Sequence, residues 1–167
     1  LNALHDGFFL SESNQLHLFI VGVGLIGKAL ISQIAKQSDF LKNQKGTDLK
    51  IIGISNSKKM LFHEDGIDLN HWKEQLDHSE ESADMVKFVQ KMNDFNLPNS
   101  IFVDNTANLE VAGQYSTILD NSISISTPNK IANSSYYSSY LHLHETARKR
   151  GVQFSYETNV GAGLPVI

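Results

Sequence analysis

Apolar residues along the chain gather in short runs that alternate with longer stretches of helical period. Leu16, Leu18, Phe19, Ile20 and Val21 make a run of strand length that passes directly into Gly22-Val23-Gly24-Leu25-Ile26-Gly27. Behind it Ala29, Leu30, Ile31, Ile34 and Ala35 recur at helical spacing to about Ser38. Residues 41–48 are polar, include Gly46 and predict a loop. A second strand is expected over Leu49–Ser55, rich in isoleucine. Residues 57–79 carry no clear period and predict irregular chain with short helical turns. From Glu81 to Phe95 the set Met85, Phe88, Val89, Met92 and Phe95 falls on one helical face, and Leu97-Pro98 ends it. Ile101–Asp104 is a third strand, followed by a helix from about Leu109 to Leu119. Ser122–Ser126 is a fourth strand with serine at alternate positions. Asn133-Ser134-Ser135 can cap a helix with Tyr137, Tyr140, Leu141, His144 and Ala147 on one face, stopped at Gly151, and Val152–Tyr156 is a fifth strand. Strand and helix alternating in this way predict an α/β fold with parallel strands and helices on both faces of the sheet.

The chain has 167 residues, the size of one domain, and its composition (41% apolar, 19% charged) is that of a protein with a core. Fourteen basic and eighteen acidic residues leave a formal charge of −4. Without a clustered basic face, a nucleic-acid partner is not expected. No apolar run approaches the roughly 18–20 residues of a membrane helix, and the run Phe19–Ile26 is interrupted by Gly22 and Gly24. Zero cysteines exclude disulfides and thiolate chemistry and fit a reducing, cytoplasmic location. The first residues show neither a basic nor an apolar leader region, and Leu1 reads as the start of an excised piece of a longer chain.

The glycine turn carries the chemistry. After an apolar strand and before a helix, Gly22 permits the tight turn, Gly24 lets the backbone approach a pyrophosphate, and Gly27 allows close helix–strand packing. A phosphate there rests on free N–H groups and the helix dipole. The fold expected is thus a Rossmann-type doubly wound sheet of about five strands in the order 3-2-1-4-5. At the end of the second strand Asn56, Ser57, Lys58 and Lys59 stand where a carboxylate would accept from an adenine ribose. Amide, hydroxyl and lysines suit a 2′-phosphate, which favours NADP over NAD without excluding NAD; the alternative is a solvated turn. Asp104 ends the third strand and Asn105, Thr106 and Asn108 follow it, and Thr127-Pro128-Asn129-Lys130 follows the fourth. Both lie at the carboxyl edge where open α/β sheets bind ligands. The competing readings are an Asx turn with a helix cap, and a surface lysine. His142 and His144 are two apart on a helix, and His63, His71 and His78 lack ligand spacing, so a transition-metal site is not expected. No G-x-S-x-G elbow is present.

The segments FIVGVGLIGKAL (19–30), VDNTAN (103–108), ISTPNKIANS (125–134) and YETNVGAGLPVI (156–167) together resemble the homoserine dehydrogenases, in particular the dehydrogenase part of bifunctional aspartokinase–homoserine dehydrogenases. The resemblance covers nearly the whole chain. It implies an oxidoreductase that interconverts L-homoserine and L-aspartate 4-semialdehyde with NAD(P), within threonine and methionine biosynthesis. It implies that Gly22, Val23, Gly24, Leu25 and Ile26 line the pyrophosphate, with Gly27 behind them. It places Thr106 and Lys130 at the nicotinamide ribose and gives Lys130 a catalytic part near the reacting carbon. It implies a monovalent cation, Na or K, held by Glu157 through its side chain and by Val160, Ala162 and Leu164 through carbonyls. Residues 1–15 are then a connector, 16–156 the NAD(P)-binding domain, and 157–167 the start of a substrate and dimerisation domain. The rest of that domain would supply the homoserine-binding groups and the homo-oligomer interface, so the chain by itself is expected to be inactive. Two other readings stand beside this one. A nucleotide-sensing regulatory domain would usually carry an acid at the end of strand two and has no use for the TPNK segment. Another NAD(P)-dependent oxidoreductase would differ in substrate.

Overall fold

The computed structural model describes residues 14–132 and 136–156. Its centre is a six-stranded sheet: β1 (Asn14–Val21), β2 (Thr47–Ser55), β3 (Met60–Phe62), β4 (Ser100–Asp104), β5 (Ser124–Ser126) and β6 (Phe154–Ser155). The strands lie in the order β3-β2-β1-β4-β5-β6. All neighbours are parallel except β2 and β3, which are antiparallel. The expected order 3-2-1-4-5 is present, with the place beside β2 taken by the three-residue β3 and not by a parallel strand. Ile101–Asp104 pairs with β1 on its other side. The strand order therefore reverses between β1 and β4, and a crevice opens beyond their carboxyl ends.

Among the described residues six helices connect the strands: α1 (Leu25–Lys45), α2 (Trp72–His78), α3 (Met85–Phe95), α4 (Leu109–Gly113), α5 (Tyr115–Asp120) and α6 (Tyr137–Arg150). Alternation along β1 serves two cores. Leu18 and Ile20 pack with Ile31 and Ile34 of α1, Ile51 and Ile54 of β2 and Leu76 of α2. Phe19 and Val21 face the other way, toward Phe88, Val89 and Met92 of α3, Phe102, and Tyr115, Ile118 and Leu119 of α5. A register shift between Leu18 and Phe19 lets Phe19 pair with Gly53, which explains why Ile51 and Ile54 share one face although they lie three positions apart.

Several boundaries differ from expectation. The polar stretch 41–45 continues α1 to Lys45, because leucine, lysine and glutamine are good helix formers even where no face is buried, and Gly46 caps the end. Segment 57–79, expected as irregular chain with short helical turns, contains the strand β3 as well as the seven-residue α2. The helix expected at 109–119 is broken at Gln114 into α4 and α5. Asp84 caps α3, its side chain accepting from the Lys87 N–H, so that helix starts at Met85 and not Glu81. The strands β5 and β6 are shorter than drawn from sequence. In α6 the buried residues are Leu143, Thr146 and Ala147, while Tyr137 and Leu141 are exposed. Tyr137 instead stacks on Tyr140 with ring centres 6.2 Å apart. Tyr136 is the N-cap of α6, and the expected cap at 133–135 lies outside the described residues. So do residues 1–13 of the expected connector and the expected cation ligands Glu157, Val160, Ala162 and Leu164.

Candidate functional site

At the crevice the glycine turn has the geometry its residue types suggest. Gly22 has φ +89°, and a Cβ there would lie 2.7 Å from Thr106 Cγ2 and 2.9 Å from the Asn105 carbonyl carbon. A Cβ on Gly27 would lie 2.2 Å from the Gly22 carbonyl oxygen, so only glycine lets α1 pack this closely on the turn. Gly24 is the N-cap of α1 and provides no side-chain cap, and a Cβ on it would meet nothing within 4 Å. The first turn of α1 also contains no acidic residue. An uncapped helix start beside open space is a cradle for an anion.

Two cavities flank this turn. One, of about 560 Å³, is lined by Val21, Gly22, Val23, Gly24 and Lys28 on one side and by Asn56 and Ser57 at the end of β2. Trp72, Lys73, Leu76 and Asp77 of α2 and Asn105, Thr106, Asn108 and Val111 close it. The other, of about 690 Å³, is lined by Leu25, Ile26, Ala29 and Leu30 of α1 with Val103, Ser126, Thr127, Pro128 and Ser155. Leu25 and Ile26 are 89% and 56% exposed, so apolar surface faces solvent there. Asn105 lines both cavities, and its side-chain Nδ2 is buried without a hydrogen-bond partner. A buried donor without an acceptor is costly, and one at the junction of two cavities fits a ligand that crosses between them.

The residues expected at the site are thus distributed. Gly22, Val23, Gly24, Asn56, Ser57 and Thr106 share the first cavity; Leu25 and Ile26 face the second. Gly27 packs behind the turn. Lys58 and Lys130 are both exposed, and neither lines either cavity. The Asn56 side-chain oxygen accepts from the N–H groups of both Lys58 and Lys59 at 2.7 Å, which closes the turn after β2. Lys59 extends to donate to the Asp77 carbonyl at 2.7 Å.

Behind the two cavities lies a buried polar network. Asp104 is fully buried, and its Oδ1 accepts from the Thr106 N–H at 2.7 Å. Its Oδ2 accepts from the Tyr115 hydroxyl at 2.6 Å and from Asn129 Nδ2 at 2.9 Å. Asn129 Nδ2 also donates to the Asn108 carbonyl, and the Asn129 N–H donates to Thr127 Oγ1. Thr127 Oγ1 in turn donates to the Asp104 carbonyl at 3.0 Å. Burial foremost, and the Asp104 charge after it, push the Tyr115 phenol far above its ordinary pKa, so it remains a donor. The network ties the turn after β4 to the turn after β5, and so places the chain on which Lys130 sits.

Sequence reasoning passed over Lys28, Trp72, Lys73 and Tyr115. For the α2 residues the only signal was an aromatic–lysine pair in a stretch without period. Tyr115 gave none, because its hydroxyl meets Asp104 only through the tertiary fold.

Known proteins resemble the chain in sequence and in fold. Residues 22–157 match the homoserine dehydrogenase NAD-binding domain family. A bifunctional aspartokinase/homoserine dehydrogenase of the Arabidopsis thaliana chloroplast is 45% identical across the whole chain, which spans 18% of that relative's length. A homoserine dehydrogenase of Schizosaccharomyces pombe is 30% identical over 94% of the chain and 42% of its own length. Among solved structures, a hyperthermophilic archaeal homoserine dehydrogenase mutant in complex with NADPH superposes with a TM-score of 0.70 at 25% identity, over 91% of this chain and 46% of that one.

Proposed function

The chain belongs to the homoserine dehydrogenase family as its NAD-binding domain, and from that premise we propose that the parent protein interconverts L-homoserine and L-aspartate 4-semialdehyde, with this chain holding NADP(H) or NAD(H). The observation that carries the reading is the open, uncapped start of α1 at Gly24, set at the reversal of strand order between β1 and β4. When bound, the nicotinamide ring takes up or supplies the hydride. The chain's own residues bind and orient it. Backbone groups of Gly22, Val23 and Gly24, with the N–H groups of Leu25, Ile26 and Gly27, hold the pyrophosphate. The Asn105 amide donates where the cofactor crosses from one cavity to the other, and the archaeal relative's complex with NADPH supports that occupant.

Thr106 donates toward the nicotinamide ribose. Lys130, carried on the turn that Asn129 and Thr127 anchor, donates to ribose and substrate oxygens near the reacting carbon. The expected cation ligands Glu157, Val160, Ala162 and Leu164 stay part of this reading, as does a homo-oligomeric parent, on the strength of the resemblance. Homoserine is held by groups outside this chain in this reading, which leaves the chain by itself without turnover. No helix among the described residues is long and apolar enough to cross a membrane. The Arabidopsis relative is chloroplastic, and the chemistry proposed here suits that compartment as well as the cytoplasm.

Titration calorimetry of the chain with NADPH tests the proposal. Saturable one-to-one binding is expected. Absence of heat and of any thermal stabilisation by either NADPH or NADH would remove the cofactor role.

A further inference from the structure

We infer that Trp72 and Lys73 of α2 form the adenosine-reading wall of the site, with the Trp72 indole stacking on the adenine and Lys73 selecting a 2′-phosphate. This inference rests on the reading of the crevice as a nicotinamide dinucleotide site and adds to it which residues choose between the two dinucleotides. Both side chains line the same cavity as Gly22, Gly24, Asn56 and Ser57, so the phosphate cradle and the end of β2 open toward them. Trp72 packs from one side against the cluster of Leu18, Ile31, Ile54 and Leu76, which leaves its indole anchored, partly buried and available to the cavity. An anchored aromatic face beside a polar strand end is what a purine ring needs, since stacking requires a flat partner that does not itself have to be ordered.

The charges point the same way. Of the two lysines in the turn after β2, Lys59 is engaged with the Asp77 carbonyl and Lys58 lines neither cavity. Lys73 is exposed, lines the cavity and has no carboxylate partner among the described ion pairs. Lys28 lies on α1 near the cradle, and Asp77 is the carboxylate among the lining residues. Asn56 replaces the acid that would repel a 2′-phosphate, and its Oδ1 is already committed to the turn. A flexible ammonium from α2, joined by the Ser57 hydroxyl, therefore completes a phosphate pocket that the turn by itself does not make.

Trp72 is the chain's single tryptophan, so its emission reports this pocket alone. The experiment titrates the chain with adenosine 2′,5′-bisphosphate and with 5′-AMP, following emission and, in parallel, calorimetric heat. The bisphosphate is expected to quench Trp72 and to bind about tenfold tighter or more than 5′-AMP. Lys73→Gln, at an exposed position that leaves the melting temperature in place, is expected to erase that preference while 5′-AMP still binds. Full preference retained in Lys73→Gln, or lost instead in Lys58→Gln, would overturn the assignment. So would binding seen by calorimetry with no change in Trp72 emission. If neither nucleotide nor NADPH binds, the cofactor reading falls together with this one; if NADPH binds without discrimination at the 2′ position, only this inference falls.

Discussion

A Cβ at Gly27 would sit 2.2 Å from the carbonyl oxygen of Gly22, whereas one at Gly24 would meet nothing within 4 Å. The same residue type, three positions apart, therefore answers two different demands. Gly27→Ala has to push α1 away from the turn, and overpacking of this kind costs about 1–3 kcal/mol, so a lowered melting temperature is expected even without ligand. Gly24→Val has room in the free protein and is expected to melt close to the parent while NADPH affinity falls by about tenfold or more, because the added methyls occupy the space of the incoming phosphates. Thermal melts with and without NADPH, run on both variants, separate the two roles. A Gly24→Val protein that binds like the parent would mean that the pyrophosphate lies elsewhere. The glycine spacing was legible in the sequence, because the positive φ of Gly22 and the contact of Gly27 with the Gly22 carbonyl act within one turn of chain, whereas the contact of Gly22 with Asn105 and Thr106 came only with the fold. The Asp104–Tyr115–Asn129 network was not, since its three side chains come from separate elements and meet only when β4, α5 and the turn after β5 are assembled.

Among the elements, α2 is short, with seven residues, and it carries the wall opposite the glycine turn. Its start is held by an exposed pair. Asp68 accepts from the Asn70 N–H and faces His71 Nδ1 at 2.7 Å. Hydrogen bonding to His71 lowers the Asp68 pKa, and hydrogen bonding to Asp68, with the charges of Asp68 and Glu74 adding, raises that of His71. For His71 the raised value means that its contribution is complete below the ordinary pKa of 6.5 and is lost as the pH rises through the higher folded value. For Asp68 the contribution is present above 3.8 and is lost as the pH falls through the lower folded value. The pair thus acts between those limits, and α2 is expected to loosen at alkaline pH. Amide exchange at residues 70–74 should accelerate, beyond its intrinsic pH dependence, as His71 deprotonates. His71→Gln should abolish that extra step, and its absence in the parent would show that the pair does not anchor the helix. Segment 57–79 was illegible as pattern because β3 and α2 are too short to establish a period: β3 is a three-residue strand that folds back on β2 as a hairpin, and α2 is held through Leu76 in the core it shares with β1 and β2.

At the scale of the whole molecule, the sheet has two unlike edges. The carboxyl edge carries the two cavities around the glycine turn, and the opposite edge carries a cavity of about 390 Å³ lined by Asn93, Asn96, Asn99, Ser100 and Asn121, among others. Cofactor binding at the switch point should protect residues 22–28, 56–57, 72–77 and 105–108 from hydrogen exchange while leaving 96–99 and 121–123 unchanged beyond the global stabilisation, which is about 2.7 kcal/mol at a hundredfold excess over Kd. Protection centred on the opposite edge would relocate the site. The amino-acid sequence determined by itself that the chain is α/β with parallel strands, that a tight glycine turn leads from its first strand into its first helix, and which family it resembles. Those properties follow from hydrophobic period, glycine stereochemistry and contiguous motifs, all of which act over a few residues. Tertiary structure alone decided that β3 takes the place beside β2, that Leu25 and Ile26 face a different cavity from Gly24, and that Trp72 and Lys73 rather than Lys58 and Lys59 line the cavity beside the glycine turn. Each of these depends on which strand lies beside which, a choice made by the packing of two cores across the sheet and not by any local stretch of chain.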